Sequence, residues 1–283
     1  MGFSRIAITG ANGMLGQELS AYLKIKGYEV FAFTSAALNL LHDLDAITEK
    51  LSSVSPQIII HAGAYTKVDN AEDEPELALT INKDGTRNIA LLAQKINAIV
   101  VYISTDYVFD GLSQTPYVPT DRANPINTYG LSKYYGELVL KELSDTYYII
   151  RTSWTYGIYK NNFVQWVLDS ARQGSKLKIA TDWVGSPTWI GNLCSTIETI
   201  IHSGAYGTYH AADDGVVSRY EQAITICELA GISSGFIEPV PLEALPFAAN
   251  RPAYSPLSCP ELNVSSWKTG LNAYLAQYRQ QNP

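Results

Sequence analysis

The sequence predicts an α/β protein built on a Rossmann-type doubly wound parallel sheet, with a smaller C-terminal α/β lobe. Two observations support this fold class. First, short apolar segments rich in β-branched and aromatic residues alternate with segments of helical spacing. Second, after about residue 155 this regular alternation gives way to helical segments, short strands and proline-rich connections. We therefore expect one domain over residues 1–155 and a second lobe over residues 156–283, with a soft boundary because the chain can return to the sheet late in its sequence.

Five segments have the near-continuous apolar character of strands buried on both faces of a parallel sheet. They cover residues 5–9, 29–33, 57–61, 99–103 and 147–151. Segments of helical spacing lie between them, over residues 15–23 and, after Pro75, over residues 78–96. This alternation predicts right-handed crossovers between parallel strands.

Helical segments are also expected past residue 155. They cover roughly residues 161–173, 190–202, 219–230 and 266–280. Proline-rich connections near 185–187, 239–246 and 252–260 separate short strands from these helices. No flexible linker is expected between the two parts of the chain.

Composition and charge limit the class of protein. Of the 283 residues, 46% are hydrophobic and 17% are charged, which is typical of a globular protein. A net charge of −7 argues against general affinity for nucleic acid or for an anionic membrane. No apolar run is long enough to span a bilayer and no signal peptide is recognised, so a cytoplasmic location is expected. Cys194, Cys227 and Cys259 form no CxxC pair and are expected to be reduced thiols.

A glycine-rich turn follows the first predicted strand. Thr9-Gly-Ala-Asn-Gly-Met-Leu-Gly16 places glycines at positions 10, 13 and 16. Gly10 permits a tight turn, Gly13 lets a diphosphate approach the backbone, and Gly16 lets the helix pack closely on the strand. The free N–H groups at the helix start would face the phosphates. The strand before the turn and the helix after it favour this reading over a purely structural turn, so residues 1–155 are interpreted as a dinucleotide-binding domain.

The type of dinucleotide stays open. The second strand ends in Phe33-Thr-Ser35, without the acidic residue that would bind a free ribose 2′-hydroxyl. No arginine stands there to bind a 2′-phosphate either. NADPH and NADH are therefore both candidates.

Tyr129 and Lys133 are one helical turn apart, so their side chains share a face. An ammonium beside a phenol lowers the phenol's pKa, typically by ~1–3 units. Tyr129 would then protonate the oxygen that forms as hydride reaches a carbonyl carbon, and Lys133 would also reach ribose hydroxyls. The spacing alone is weak evidence, because a chain with 19 tyrosines contains such pairs by chance.

A polar segment at the end of the fourth predicted strand strengthens the case. Residues 104–111, Ser-Thr-Asp-Tyr-Val-Phe-Asp-Gly, stand where open α/β sheets place their chemistry. The hydroxyl of Ser104 or Thr105 would hydrogen-bond the same carbonyl oxygen. His61 and His210, in contrast, are interpreted as histidines of the core.

These motifs resemble the extended short-chain dehydrogenase/reductase family, and more narrowly its reductases of nucleotide-linked keto sugars. The resemblance runs nearly from end to end. It rests on residues 10–16, 62–69 with Glu72, Asn82, 104–111, 127–133 with Gly136 and Glu137, 151–154, Asn162 with Phe163, 185–188, and Arg251 with Pro252 and Ser255.

The resemblance implies roles for individual residues. Tyr129 would be the proton donor, Lys133 its helper and a cofactor contact, and Thr105 a hydrogen-bond donor to the sugar. Asp106 and Trp154 would contact the nucleotide-sugar. The cofactor would be bound by Gly10, Gly13, Met14, Leu15, Gly16, Asn39, Leu40, Ala64, Tyr65 and Thr66, together with Tyr129 and Lys133.

The remaining substrate contact is expected from charge. Arg251 precedes Pro252 and is a candidate for a substrate phosphate, because an acidic protein must concentrate positive charge where an anion binds. The family commonly has an acidic residue at the position of Asn39, which keeps the cofactor preference open. Some members hold magnesium at a dimer interface, but residues 189–191 supply no carboxylate beside the retained Glu18, so no metal is predicted.

The function that the resemblance implies is NADPH- or NADH-dependent reduction of a sugar ketone. The substrate would be dTDP-4-dehydro-6-deoxy-L-mannose and the product dTDP-L-rhamnose, for surface polysaccharide synthesis. Residues 156–283 would then be mainly a substrate-binding lobe. We expect a monomer or weak homodimer without nucleic acid or membrane partners.

Two alternatives belong to the same superfamily. Nucleotide-sugar dehydratases carry a Thr-Asp-Glu run at the strand end, and Tyr107 breaks that carboxylate pair here. The non-catalytic NADP-binding regulatory subunit of methionine adenosyltransferase shares the 104–111 run and the Tyr-Gly-x-x-Lys pattern. Trp154, which the regulatory relatives lack, favours the reductase.

Overall fold

The computed structural model describes residues 3–38, 41 and 44–281. Its strands, in chain order, are β1 (Arg5–Thr9), β2 (Glu29–Phe33), β3 (Ile58–His61), β4 (Ile99–Thr105), β5 (Tyr147–Thr152), β6 (Thr155–Tyr156), β7 (Leu177–Ala180), β8 (Val184–Gly185), β9 (Thr188–Trp189), β10 (Gly207–His210), β11 (Val217–Ser218) and β12 (Ile237–Val240). Its helices are α1 (Met14–Ile25), α2 (Leu44–Ser52), α3 (Asn70–Asp73), α4 (Pro75–Leu79), α5 (Gly85–Ile96), α6 (Thr128–Leu143), α7 (Phe163–Gln173), α8 (Ile190–His202), α9 (Arg219–Ala230) and α10 (Trp267–Gln281).

A six-stranded parallel sheet forms the centre of the fold, in the order β10-β5-β4-β3-β1-β2. The strand order reverses between β1 and β3, as in doubly wound sheets. This sheet confirms the predicted fold class. The chain also returns to it late, because β10 pairs with β5 at one edge.

The sheet is buried on both faces because its strands are apolar at successive positions. In β1, Ile6 and Ile8 pack on one side with α1 and α8, whereas Ala7 packs on the other side with α2, α5 and α6. Alternate side chains of a strand point to opposite faces, so a continuous apolar run serves both helical layers.

A third apolar cluster lies outside this sheet. It joins α7, α9 and α10 around three two-stranded pairings, which are β6 with β9, β7 with β12, and β8 with β11. We propose that this part is the second lobe. Strand β10 and helix α8 belong instead to the sheet domain, since β10 pairs with β5 and α8 packs against the sheet. Cys194 and Cys227 are buried and Cys259 is half-buried, and all three thiols are free.

The long helix predicted after Pro75 is present, but it is not α-helical throughout. A π-helical turn, Thr80–Asp84, separates α4 from α5. Such turns are rare within helices and often accompany functional positions. None of the helices in the described part of the chain combines the length and the apolar composition that a bilayer span requires.

Candidate active site

A cleft of about 760 Å³ opens at the carboxyl ends of the central strands. It is the position at which open α/β sheets bind ligands. Most of the predicted site residues line it: Gly10, Gly13, Met14, Leu15, Gly16, Ala64, Thr66, Thr105, Asp106, Tyr129, Lys133 and Trp154.

The glycine turn at one end of the cleft has the geometry of a diphosphate cradle. Gly10 has φ +68°, and a Cβ there would lie 2.5 Å from the Gly63 nitrogen. A Cβ at Gly16 would overlap the Gly10 carbonyl oxygen, so α1 can approach β1 only with glycine at this position. The start of α1 at Gly13 carries no side-chain cap, so its N–H groups remain for a ligand. These residues therefore fit a bound dinucleotide.

The loop after β3 forms the neighbouring wall. Ala64 and Thr66 line the cleft, but the Tyr65 side chain does not, because its hydroxyl donates to Glu74. Asn82, in the π-helical turn, accepts from the Tyr65 N–H at 2.8 Å and donates to the Ser132 hydroxyl at 2.8 Å. This buried amide therefore ties the cofactor loop to α6. The predicted contacts Asn39 and Leu40 lie outside the described residues.

Tyr129 lies in the first turn of α6 and faces the cleft, with its ring edge against Tyr107 at 5.7 Å between centroids. Burial raises the pKa of Tyr129 to about 12; the Thr105 hydroxyl opposes this and the Asp106 charge adds to it. The Tyr129–Lys133 spacing predicted a pKa of the phenol lowered by the ammonium, whereas the pKa in the described chain is raised. The physical reason is that burial of the phenol outweighs the charges around it.

Lys133 lies one turn further along α6 and is also buried. Its Nζ is 4.0 Å from the centroid of the Tyr102 ring. Burial lowers the pKa of Lys133 to about 7, although the Glu137 carboxylate opposes the shift. The side chain is thus only partly protonated at neutral pH, and its protonated form is stabilised by the buried Tyr102 ring.

The two candidate hydroxyls at the end of β4 have different partners. The Ser104 hydroxyl donates to Glu137 Oε1 at 2.6 Å, in the interior. The Thr105 hydroxyl donates to Asp106 Oδ1 at 3.1 Å and interacts with the Tyr129 phenol. Thr105 is therefore the hydroxyl that shares its surroundings with Tyr129.

Asp106 is buried beside these groups. Its second carboxylate oxygen accepts from the Ser255 hydroxyl at 2.6 Å. Burial raises the pKa of Asp106 to about 6, and the hydrogen bonds from Ser255 and Thr105 oppose the shift. The carboxylate therefore anchors the 255 region to the end of β4 while facing the cleft.

Trp154 lines the cleft in a strained backbone conformation. Its φ of +47° lies in the left-handed region, which costs a bulky residue roughly 1–2 kcal/mol. Gly185 makes this possible, because a Cβ there would lie 2.5 Å from the indole ring. Such strain at a ligand-facing aromatic residue indicates a functional position.

Arg251 does not line the cleft. Its Nη2 pairs with Asp69 Oδ2 at 2.6 Å, and its guanidinium lies 4.5 Å from the Phe247 ring centroid. The same Asp69 carboxylate accepts from the Ala248 and Ala249 N–H groups. The structure thus gives Arg251 a role in tying the 247–251 segment to the sheet domain.

Several lining residues were not anticipated. They include Asn12, Ser35, Gly63, Val68, Thr152, Ser153, Lys160, Asn161, Ile190 and Arg219. Arg219 is the most informative, because it begins α9 in the second lobe and brings a cation into the cleft. Only its position within the capping sequence Ser218-Arg-Tyr-Glu221 distinguishes it in the sequence, and that signal predicts a helix start and not a site.

No cluster of three or more histidine, cysteine, aspartate or glutamate side chains suited to a metal occurs within residues 3–38, 41 and 44–281. Glu18 is half-buried in α1, and burial raises the pKa of its carboxyl. The site is therefore described without metal ligands.

Together, the doubly wound sheet, the glycine turn and the Tyr-Lys helix at one cleft define a nicotinamide-dependent oxidoreductase of the short-chain dehydrogenase/reductase class. The match to known families is narrower. Residues 4–280 match the family described as the RmlD substrate binding domain, and the chain belongs to that family.

Individual relatives cover nearly the whole chain. The dTDP-4-dehydrorhamnose reductase of Aggregatibacter actinomycetemcomitans is 38% identical over 287 residues, covering 95% of this chain and 97% of that protein. The spore coat polysaccharide biosynthesis protein SpsK of Bacillus subtilis (strain 168) is 35% identical over 279 residues, covering 97% and 98%. A crystal structure of dTDP-4-dehydrorhamnose reductase from Bacillus anthracis str. Ames in complex with NADP has a TM-score of 0.93 at 39% identity, covering 98% of this chain and 100% of that one.

Proposed function

We propose that this chain reduces the 4-keto group of dTDP-4-dehydro-6-deoxy-L-mannose to give dTDP-L-rhamnose, with NADPH or NADH as the reductant. The observation that carries the proposal is the cleft in which a glycine turn, Thr105 and Tyr129 lie together. Membership of the RmlD family, with reductases similar over nearly the whole chain, supports the same reaction.

The cofactor would occupy the end of the cleft with the glycine turn. Gly10, Gly13, Met14, Leu15 and Gly16 would hold its diphosphate, with Ala64, Thr66 and Lys133 along the walls. When bound, the reduced nicotinamide supplies the hydride that the carbonyl carbon accepts. Tyr65, Asn39 and Leu40 stay predictions as cofactor contacts.

Tyr129 would supply the proton that balances this hydride. Because burial holds its pKa near 12, the phenol keeps its proton throughout the neutral range. It would donate that proton to the carbonyl oxygen and become a phenolate. A new C–H bond and a new O–H bond would then replace the π bond of the carbonyl, a C–H bond of the nicotinamide and the O–H bond of the phenol, and the C–O single bond would remain. Thr105 would donate a hydrogen bond to the same oxygen and hold it within reach of the phenol.

The substrate would lie between Asp106 and Trp154. Trp154 lines the cleft beside Arg219 and would contact the nucleotide-sugar, and Asp106 offers a hydrogen-bond acceptor to hydroxyl groups. A contact between Arg251 and a substrate phosphate remains a prediction. The ion pair of Arg251 with Asp69 does not support that contact. The substrate-binding role of residues 156–283, the monomer or weak homodimer and the cytoplasmic location also stay predictions.

The non-catalytic regulatory subunit is not favoured as an alternative. Reductases, including one solved with NADP, are similar to this chain over nearly its whole length. Trp154 also lines the cleft, where a nucleotide-sugar would need it.

Absorbance of the reduced nicotinamide tests the proposal directly. The protein is mixed with the keto sugar and, separately, with NADPH and NADH; we expect the absorbance to fall with at least one of them. The matched control substrate is dTDP-4-dehydro-6-deoxy-D-glucose, which has the same ketone on a differently configured ring. No consumption with either cofactor, in folded protein that binds them, would contradict the proposal.

A further inference from the structure

Arg219 differs from the other two cations of the cleft in how it is held. Lys133 lies buried beneath Tyr129 over the Tyr102 ring, and Lys160 is exposed at the rim. Arg219 is the first residue of α9, so its backbone is fixed by the capping interaction between Ser218 and Glu221. It therefore enters the cleft from a rigid element of the second lobe.

An aromatic cage fixes the guanidinium group of Arg219. Its Cζ lies 3.6 Å from the centroid of a Trp154 ring, 4.6 Å from that of Phe163 and 5.0 Å from that of Trp183. Contacts of this type stabilise a cation without neutralising its charge. The cage therefore presents a preorganised positive charge.

Hydrogen-bond donors around Arg219 lack acceptors. Among the described residues, the guanidinium donates once, from Nη1 to Gln222 Oε1 at 3.0 Å, and no carboxylate lies within ion-pairing distance. Its Nε and the indole N–H groups of Trp154 and Trp183 are buried without a partner. Buried donors without acceptors are costly, so this arrangement indicates an acceptor-rich ligand.

The nearest acid does not fill that role. Asp106 influences Arg219 electrostatically, but its carboxylate already accepts from Thr105 and Ser255. Burial lowers the pKa of Arg219 to about 9, so the group stays charged at neutral pH. A positive charge without a close partner at the edge of a ligand cleft is most simply completed by an anion from the ligand.

We propose that Arg219 binds the diphosphate of the nucleotide-sugar substrate, on the Trp154 side of the cleft. The glycine turn is left to the cofactor's diphosphate at the other end. The free Nη2 and the planar guanidinium suit phosphate oxygens, and Trp154 beneath it aligns the same ligand. This inference rests on the proposed function, because it takes the substrate to be a nucleotide-sugar.

Titration calorimetry with dTDP and with thymidine tests the inference without turnover. Arg219→Met should weaken dTDP binding about 10- to 100-fold, since a hydrogen bond to a charged group contributes roughly 1.5–3 kcal/mol. Thymidine and NADPH affinities should stay within about twofold of the parent. Arg219→Lys keeps the charge and should bind dTDP with intermediate affinity, and the parent's dTDP affinity should fall more steeply with salt than that of Arg219→Met.

Arg172→Met is the matched control. Arg172 also stacks on an aromatic ring, that of Tyr278 at 5.5 Å, but it does not line the cleft. Its loss should leave dTDP binding unchanged. If Arg219→Met binds dTDP like the parent, or loses thymidine as much as dTDP, the proposed diphosphate contact is overturned.

The two proposals fail separately. A parent protein that binds dTDP through Arg219 but does not reduce dTDP-4-dehydro-6-deoxy-L-mannose contradicts the proposed function and leaves the diphosphate site standing. A parent that reduces the sugar while Arg219→Met binds dTDP normally keeps the function and overturns the site.

Discussion

For the single residue Tyr129, burial of the side chain determines the protonation state of the phenol. The phenol has a pKa of about 12 in the cleft, because desolvation penalises the phenolate more than neighbouring groups stabilise it. For the direction of reduction this is an advantage, since a general acid must carry its proton when the ketone binds. A stabilised phenolate would favour oxidation instead.

Tyr129→Phe tests this role. The substitution removes the hydroxyl and keeps the ring against Tyr107, so we expect kcat to fall by ~10²–10⁴-fold with NADPH affinity nearly unchanged. Stopped-flow absorbance gives the rate and NADPH fluorescence gives the affinity. Tyr135→Phe, on an exposed position of the same helix, should keep the parental rate. A Tyr129→Phe protein of parental rate would move the acid to another group.

Single residues also show what sequence reasoning can and cannot reach. The glycine turn, Thr105 and the Tyr129–Lys133 pair were predicted and do line the cleft, because these motifs follow directly from strand ends and helix starts. Arg251 was expected in the cleft from charge alone, but Asp69 pairs with it, and Arg219 supplies the cation there. Which of two arginines faces a ligand depends on tertiary contacts that no local pattern contains.

Among the secondary-structure elements, helix α6 is held in position by an ion pair in the protein interior. Arg151 of β5 donates from Nε to Glu137 Oε1 at 2.9 Å and from Nη2 to Oε2 at 2.7 Å. Both side chains are almost fully buried, at 3% and 0% exposure, and Ser104 of β4 donates to the same carboxylate. This network fixes α6 on two strands and thereby holds Tyr129 and Lys133 at the cleft.

Removing one partner of this pair should be costly. We expect Arg151→Met to lower the free energy of unfolding by ~3–5 kcal/mol, because the buried Glu137 carboxylate loses its counter-charge. Glu137→Met combined with Arg151→Met should recover part of that loss. Urea denaturation measures both, and Arg172→Met in the exposed pair with Asp169 should change stability by less than ~1 kcal/mol. Equal small effects for both arginines would rule out a positioning role for the buried pair.

The elements themselves were predictable to different degrees. Long apolar runs marked all five strands from β1 to β5 within two residues of their observed ends. Strand β10 was not predicted, since Gly207-Thr-Tyr-His210 is short, partly polar and pairs on one side only. The π-helical turn within the helix after Pro75 was not predicted, because it accompanies the bonds of Asn82 to Tyr65 and Ser132, which are distant in sequence.

For the molecule as a whole, the dependence of stability on pH follows from titratable groups that are buried in their uncharged form. Burial lowers the pKa of His61 and of His210 to about 3, from an ordinary value of 6.5. Between these values the unfolded chain holds protons that the folded chain does not, so stability falls as pH is lowered from 6.5 towards 3. Asp213, whose pKa burial raises to about 7, acts in the opposite sense, because its folded form holds the extra proton.

His210→Gln separates these contributions. The His210 Nδ1–H donates to the Tyr117 carbonyl at 3.0 Å, and a glutamine amide can replace that bond without accepting a proton. We expect the variant to lose some stability at pH 7 through imperfect packing against Phe109, but to lose less than the parent between pH 6.5 and 4. The slopes should differ by up to ~1.4 kcal/mol per pH unit, which corresponds to one proton. Urea denaturation at several pH values gives both slopes, and the m-value checks that the unfolding reaction is the same. Asp213 and His61 are common to both proteins, so their effects cancel in the difference; parallel slopes would mean that His210 takes up no proton on unfolding.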